Sequence, residues 1–243
     1  MTRIICPKSM LTEPVELTGA YHHKVRTVLK LKSGEKIELL DGEGTVCVAE
    51  ILSVDKSKTQ VKILSQKTVS SPACSITLVQ AIAKGKRFDF VLQKATELGV
   101  QQIIPIITKR TVARVDAPKA EQKNLRWQEI VRHAAEQSNQ AWLPEVKDPI
   151  DLRGFLKELP PADCRFVFYE EEKNRKLREA WPASQPKSIQ LMIGPEGGFA
   201  PEEIEMLSKC GFVSVGLGPL ILRSDTAPLV AISLIQFLAG ELG

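Results

Sequence analysis

The chain has 243 residues, 43% hydrophobic and 26% charged, with a net charge of +4, enough for one large or two modest domains with a core of their own. Its five cysteines are odd in number, widely spaced and form no Cys-x-x-Cys pair, which excludes a disulfide framework and structural zinc and fits a reducing cytoplasm. The longest apolar stretch, Ala227 to Ala239, is 13 residues, too short to span a bilayer, and no charged-then-apolar leader opens the chain, so a cytoplasmic protein with no metal and no membrane attachment is expected.

In chain order, a helix is expected near His22 to Leu31, then β-prone runs at Lys36–Leu40, Val46–Ile51 and Gln60–Leu64. Asp41-Gly42-Glu43-Gly44 between the first two is a hairpin cue, and the sum is a small closed or half-closed β-barrel. Ser70-Ser71-Pro72 reads as a linker, giving a first domain over residues 1–72 and a second over 73–243. Beyond it, strands and helices alternate. Ser75–Ala81 is a strand; Phe88, Val91, Leu92, Ala95 and Leu98 mark one helical face that Gly99 can end. Val100–Ile107 is a strand, and Pro118–Ser138 a helix with Leu125, Ile130, Val131 and Ala134 inward. Arg165–Tyr169 is a strand, followed by a charged helix or loop through Lys173-Asn174-Arg175-Lys176. This order predicts an α/β domain with a mostly parallel sheet and helices on both sides. The final helix, Leu229 to Ala239, is apolar almost all round, so it needs a thick core or a partner subunit.

Two glycine turns carry the functional signal. The apolar run Ile189–Ile193 leads into Gly194-Pro195-Glu196-Gly197-Gly198-Phe199, and Pro201 with Glu202 and Glu203 then opens a helix. Gly197 and Gly198 allow a sharp turn and leave room for a ligand. Glu196 inside the loop disfavours an anion; the loop is not a P-loop and lacks the dinucleotide fingerprint. A tight turn with a surface glutamate is the plain alternative. About twenty residues on, Val213 to Pro219 again ends an apolar run with glycines, and Leu220-Ile221-Leu222-Arg223-Ser224-Asp225-Thr226-Ala227-Pro228 follows. Two such turns side by side beyond the carboxyl ends of parallel strands would line a slot for a flat heterocycle.

Ile-Gly-Pro-Glu-Gly-Gly (193–198), followed by Leu-Gly-Pro-x-Ile-Leu-Arg-x-acid-Thr-Ala (217–227), resembles the α/β-knot (SPOUT) methyltransferases. More narrowly, it resembles the family of ribosomal RNA small subunit methyltransferase E. Phe90 to Pro105, Ala134-Ala135-Glu136-Gln137-Ser138, and His22-His23…Val28-Leu29-Lys30…Gly34…Asp41-Gly42 carry the likeness over nearly the whole chain. Where many members have arginine, this chain has Gln140, Leu220 and Lys30, and where they have Thr-Glu it has Ser224-Asp225.

The resemblance implies a trefoil-knotted α/β domain, a PUA-like RNA-binding β-barrel at the N-terminus, and a homodimer through the C-terminal domain. It implies S-adenosyl-L-methionine-dependent methylation of the N3 nitrogen of a uridine in 16S rRNA of the small ribosomal subunit. Leu217, Gly218, Ile221 and Leu222 would hold adenine, and Tyr169, Ile193, Gly194, Pro195, Glu196 and Gly198 the ribose and methionine, with Glu196 on ribose hydroxyls or positive charge. Arg223 is the leading catalytic candidate, a guanidinium stabilising the uridine anion, with a structural ion pair as the alternative. Asp225 is a base, an orienter of Arg223, or an N-cap of the last helix. Glu136 and Gln137 face the substrate or cap helix packing.

Charge is uneven: residues 1–72 carry a net +3, residues 84–132 +6, and residues 133–243 −5. A basic first half tracking a polyanion fits that distribution, as do scattered solvated helix faces. Arg3, His23, Lys24, Arg26, Lys30, Lys84, Lys86 and Arg87 are the expected RNA contacts. Two other classes stay open: a non-catalytic RNA-binding ribosome-assembly factor with a vestigial cofactor pocket, and a small-molecule nucleotide enzyme, which Glu196 and the basic N-terminal module weigh against.

Overall fold

Side chains alternate between the two faces of a strand, so a strand that buries consecutive apolar residues must be covered on both faces. That holds for the first strands of this protein, whose computed structural model describes residues 1–112 and 117–243. Strands β1 (Thr2–Ile5), β2 (Val15–Thr18), β3 (Lys36–Leu40), β4 (Thr45–Val54) and β5 (Lys58–Thr68) form one sheet in the order β1-β3-β4-β5-β2. The β1–β3 pairing is parallel and the others are antiparallel. The path is open between β1 and β2, so the expected barrel is the half-closed one. Helix α1 (Gly19–His23) continues as a π-helical turn over Lys24–Val28, starting three residues before the sequence pattern. The Asp41 carboxylate accepts from the amides of Glu43 (2.8 Å) and Thr45 (2.9 Å), which fixes the β3–β4 turn.

Ile4, Leu17, Val25, Ile37, Leu39, Ala49 and Ile51 pack one face of this sheet. On the other, Ile5, Leu40 and Val46 pack with Ala135 and Ala141, flanked by Trp142 and Leu143. The described chain accordingly divides into Met1–Ser71 with Ala135–Leu143, and Pro72–Ala134 with Pro144–Gly243. Glu136 is the buried polar residue of the inserted segment: it accepts from the Ile5 amide at 3.0 Å and pairs with Lys24.

In the second unit the elements are β6 (Ser75–Ala81), α2 (Arg87–Glu97), β7 (Gln102–Ile107), α3 (Ala117–Gln137, whose last three residues belong to the first unit), β8 (Glu145–Val146) and β9 (Ile150–Asp151). They continue with α4 (Leu152–Lys157), β10 (Cys164–Phe168), α5 (Leu177–Ala180), β11 (Ser188–Ile193), α6 (Pro201–Lys209), β12 (Val213–Val215) and α7 (Ala227–Leu238). The sheet runs β12-β10-β11-β6-β7-β8, with β9 also on β7, and all these pairings are parallel, where the sequence called for mostly parallel. Leu78 and Val79, like Leu191 and Met192, are neighbours in sequence and fully buried, the mark of strands covered on both faces.

One face packs Val79, Ile104, Val167 and Met192 against Phe155, Phe199, Leu207 and Phe212. α2 and α7 pack together, and the Gln236 amide donates to the Leu98 carbonyl at 2.9 Å. Leu125, expected inward on α3, is 63% exposed; Trp127 takes the buried position at 4%, its ring centroid 4.7 Å from that of Phe88. Val131 and Ala134 are buried as expected, and Trp127 lies on their face at i, i+4, i+7 spacing, whereas Leu125 lies off it.

Candidate functional site

The carboxyl ends of β10, β11 and β12 enclose a cavity of about 470 Å³. The two glycine turns were expected side by side. Strand β10 lies between β11 and β12, so they stand on either side of its end. From β10 come Phe168, Tyr169, Glu170 and Glu172; from β11, Ile193, Gly194, Pro195, Glu196 and Gly198; from β12, Gly216 to Gly218 and Leu220 to Ser224. All ten residues expected to hold a cofactor (Tyr169, Ile193, Gly194, Pro195, Glu196, Gly198, Leu217, Gly218, Ile221, Leu222) line this one cavity, and so does Arg223. Asp225 is not among the lining residues.

Two glycines of the wall are constrained, one by its backbone angle and one by what surrounds it. Gly198 has φ +67°, and a Cβ there would lie 1.6 Å from Glu170 Oε1. At Gly216 the reason is close approach of backbone: a Cβ would lie 2.2 Å from the Glu172 carbonyl oxygen, while the Gly216 amide donates to the Arg175 carbonyl at 3.0 Å. The segment leaving β12 thus runs directly against the turn after β10, and this wall of the cavity has no slack.

Polarity is concentrated on two sides. The Arg223 guanidinium is exposed and has no hydrogen bond or ion pair among the described residues, so the structural ion pair weighed for it is not formed there. Asp225 is likewise without a side-chain partner among the described residues, and the N-cap of α7 is Thr226, with no side-chain cap hydrogen bond. The Arg223 carbonyl accepts from the amides of Thr226 and Ala227 (both 2.9 Å), and this extra turn removes Asp225 from the N-cap position, one of the three roles open to it.

Tyr169 donates to Glu171 at 2.7 Å; burial, then the acidic neighbours, pushes its hydroxyl up to about 12, so it remains a protonated donor. Glu172 is held below the ordinary carboxylate value by the amides of Asn174 and Arg175. Partial burial works against ionisation of Glu196, but its own amide, the Lys84 amide and the Arg87 guanidinium outweigh it and keep the carboxyl below its ordinary value. Leu220 and Ile221 form an apolar shelf that is 76% and 85% exposed.

The expected RNA contacts divide by what they already hold. Arg3 pairs with Glu38 at 2.6 Å, Lys24 pairs with Glu136, and the Arg26 guanidinium donates to the Lys56 carbonyl at 2.9 Å. Lys30 sits at φ 53° after the π-helical turn, and His23 ends α1. Lys84 and Lys86 precede α2. Arg87, expected on phosphate, lines the cavity and pairs with Glu196 at 3.1 Å. Sequence reasoning missed Arg87 as a cavity residue, along with Glu170, Gly216 and Ser224; a glycine directly after an apolar run was the one available signal, for Gly216. Among the described residues no three His, Cys, Asp or Glu cluster as metal ligands, and no helix is long and apolar enough to cross a membrane.

Two domain families match the chain: an RNA methyltransferase domain over residues 70–236 and an RNA methyltransferase PUA domain over residues 21–64. The class is therefore that of the RNA methyltransferases with a PUA-like N-terminal domain. Ribosomal RNA small subunit methyltransferase E of Bacillus subtilis is 33% identical over 227 residues, 91% of this chain and 89% of that one. The protein of the same name from Synechocystis is 33% identical over 97% of this chain and 77% of its own. Among solved structures, that of ribosomal RNA small subunit methyltransferase E from Neisseria gonorrhoeae, bound to S-adenosyl methionine, superposes with a TM-score of 0.87 at 34% identity, covering 98% of each chain. A Legionella pneumophila protein solved with bound S-adenosylmethionine gives 0.89 at 34% identity, over 98% of this chain and 97% of that one. The chain belongs to the ribosomal RNA small subunit methyltransferase E family, and its fold is the α/β and PUA-like combination that the motifs implied.

Proposed function

We propose that this protein methylates the N3 nitrogen of a uridine in 16S rRNA of the small ribosomal subunit, with S-adenosyl-L-methionine as donor. The observation that carries the reading is the cavity at the ends of β10, β11 and β12, where backbone edges, an apolar shelf and an exposed guanidinium meet. The donor, when bound, supplies an electrophilic methyl group on a sulfonium. Leu217, Gly218, Ile221 and Leu222 offer the flat apolar slot for adenine, and Tyr169, Ile193, Gly194, Pro195 and Gly198 the room for ribose and methionine. Acidic Glu170 and Glu172 on the same wall suit a positively charged ligand.

Uridine N3 must lose a proton before it can accept a methyl group. Arg223, with no partner among the described residues, stabilises the resulting anion, and as a guanidinium it cannot itself take the proton. Asp225 acts as proton acceptor or as orienter of Arg223. The division of labour is RNA docking by residues 1–72, helped by Lys84 and Lys86, and catalysis by residues 73–243. Phosphate contacts fall to His23, Arg26, Lys30, Lys84 and Lys86, because Arg3 and Lys24 hold Glu38 and Glu136. A homodimer through the C-terminal domain would cover Leu234 and Phe237, which α7 leaves exposed. The working place is the cytoplasm.

No observation in the fold or the comparisons favours the non-catalytic assembly factor. The test is mass mapping of 16S rRNA from a strain lacking the gene, where one uridine should lose a methyl group. In vitro, Arg223→Ala should slow single-turnover transfer by about a hundredfold or more with little change in donor affinity. An unchanged 16S methylation map, or a full-rate Arg223→Ala, would remove the proposal.

A further inference from the structure

From sequence, Glu196 was given a ligand: ribose hydroxyls or positive charge. One oxygen of its carboxylate is already engaged. Oε1 accepts from the Lys84 amide at 3.1 Å and from Arg87 Nη1 at 3.1 Å, partners 112 and 109 residues away on the turn from β6 into α2. Strands β6 and β11 are neighbours in the sheet, but the chain leaves their carboxyl ends in opposite directions, from β6 toward β7 and from β11 toward β12. The two turns therefore part there, and side chains must tie what the sheet's own hydrogen bonds no longer join. A second tie comes from the turn after β7, where Arg110 Nη1 donates to the Gly197 carbonyl at 2.8 Å. Three of the loop's residues, Gly194, Gly197 and Gly198, bring no side chain to hold its shape.

We propose that Glu196 is a positioning residue: it fastens the glycine loop to the β6–α2 turn through Arg87, so that this cavity wall is formed before a ligand arrives. Arg87 acts through Glu196 and not on RNA phosphate. The inference rests on reading the cavity as the S-adenosylmethionine site and deepens that reading. It separates two roles by charge. The donor and its demethylated product, S-adenosylhomocysteine, differ by the positive charge on sulfur. A carboxylate that holds the wall in shape affects both ligands alike, whereas one that touches the sulfonium affects the donor alone.

The experiment compares the full-length protein with Arg87→Met, Glu196→Gln, Glu196→Ala and the double variant Arg87→Met/Glu196→Ala. Hydrogen exchange of residues 194–199 is read without ligand, and both adenosyl ligands are titrated calorimetrically. Exchange should be faster in Arg87→Met and Glu196→Ala, where the Gly198 amide's 3.0 Å bond to the Pro195 carbonyl opens more often. Each of these two variants should weaken donor and product alike, by about tenfold, and the double variant should be no weaker than Glu196→Ala. Glu196→Gln keeps an oxygen for Lys84 and Arg87 and should recover part of the loss. Unchanged loop exchange in Arg87→Met, additive losses in the double variant, or a Glu196→Gln that binds the product normally and the donor poorly would each overturn the proposal. If the wild-type protein binds neither ligand, the cofactor reading falls, and the exchange comparison still decides whether the clasp exists.

Discussion

Replacing Gly216 with alanine tests the tightest contact in the cavity wall. The new Cβ would lie 2.2 Å from the Glu172 carbonyl oxygen, against 3.4–4 Å for an ordinary contact, so two backbone segments must part by more than an ångström. Parting them also stretches the 3.0 Å bond from the Gly216 amide to the Arg175 carbonyl. Overpacking of this kind costs about 1–3 kcal/mol and a weakened backbone hydrogen bond about 1 kcal/mol more, so a total of about 3 kcal/mol is expected. For a chain of this size that lowers the thermal midpoint by roughly 6–12 °C. Leu217 and Gly218 follow immediately on the cavity wall, so calorimetry should find S-adenosylmethionine bound at least about tenfold more weakly.

The control is Gly198→Ala, whose Cβ meets only the end of the exposed Glu170 side chain. That side chain can swing away, which leaves the left-handed backbone penalty of about 1 kcal/mol and a midpoint fall of roughly 2–4 °C. If Gly216→Ala melts and binds like the wild type, or if Gly198→Ala proves the more damaging, the close-approach argument is wrong.

Trp127→Ala should lower stability by about 3–5 kcal/mol in denaturant titration, because it empties the space against Phe88, whereas Leu125→Ala on the exposed side of α3 should stay within about 0.5 kcal/mol. Burial, with smaller contributions from neighbouring groups, pushes the thiols of Cys6 to about 12 and of Cys74 to about 11. Maleimide labelling of both at pH 8, followed by mass spectrometry, should therefore run at least about a hundredfold slower in the native protein than in denaturant. Because the carboxyl of Glu196 lies below its ordinary value when folded, its contribution to stability is complete above the unfolded value of about 4.3 and lost as pH falls through the folded one. Glu196→Gln should thus be less stable than the wild type at neutral pH, with the difference shrinking on acidification below about pH 4; a difference independent of pH would refute that assignment.

Much of the second unit could be read directly. Ser75–Ala81 is a strand with the expected bounds, the helical face Phe88, Val91, Leu92 and Ala95 is buried, and both glycine turns reach one cavity. These features are local: periodicity chooses strand or helix, and a glycine beside an apolar run marks where a strand ends against something close. The apolar circumference of α7 was also legible, and burial of Ala231, Ile232 and Ile235 with Phe237 exposed shows which part the sheet and α2 use.

What only the tertiary structure decided depends on pairs far apart in the chain. Strand order puts β10 between the two glycine turns and brings Arg87 to Glu196. It also sets Gly216 against Glu172 and gives Lys24 to Glu136. Neighbouring residues carry the period of a strand or helix because backbone geometry fixes it within a few residues. A partner more than a hundred residues away is set by how the sheet is threaded, and no local pattern records that.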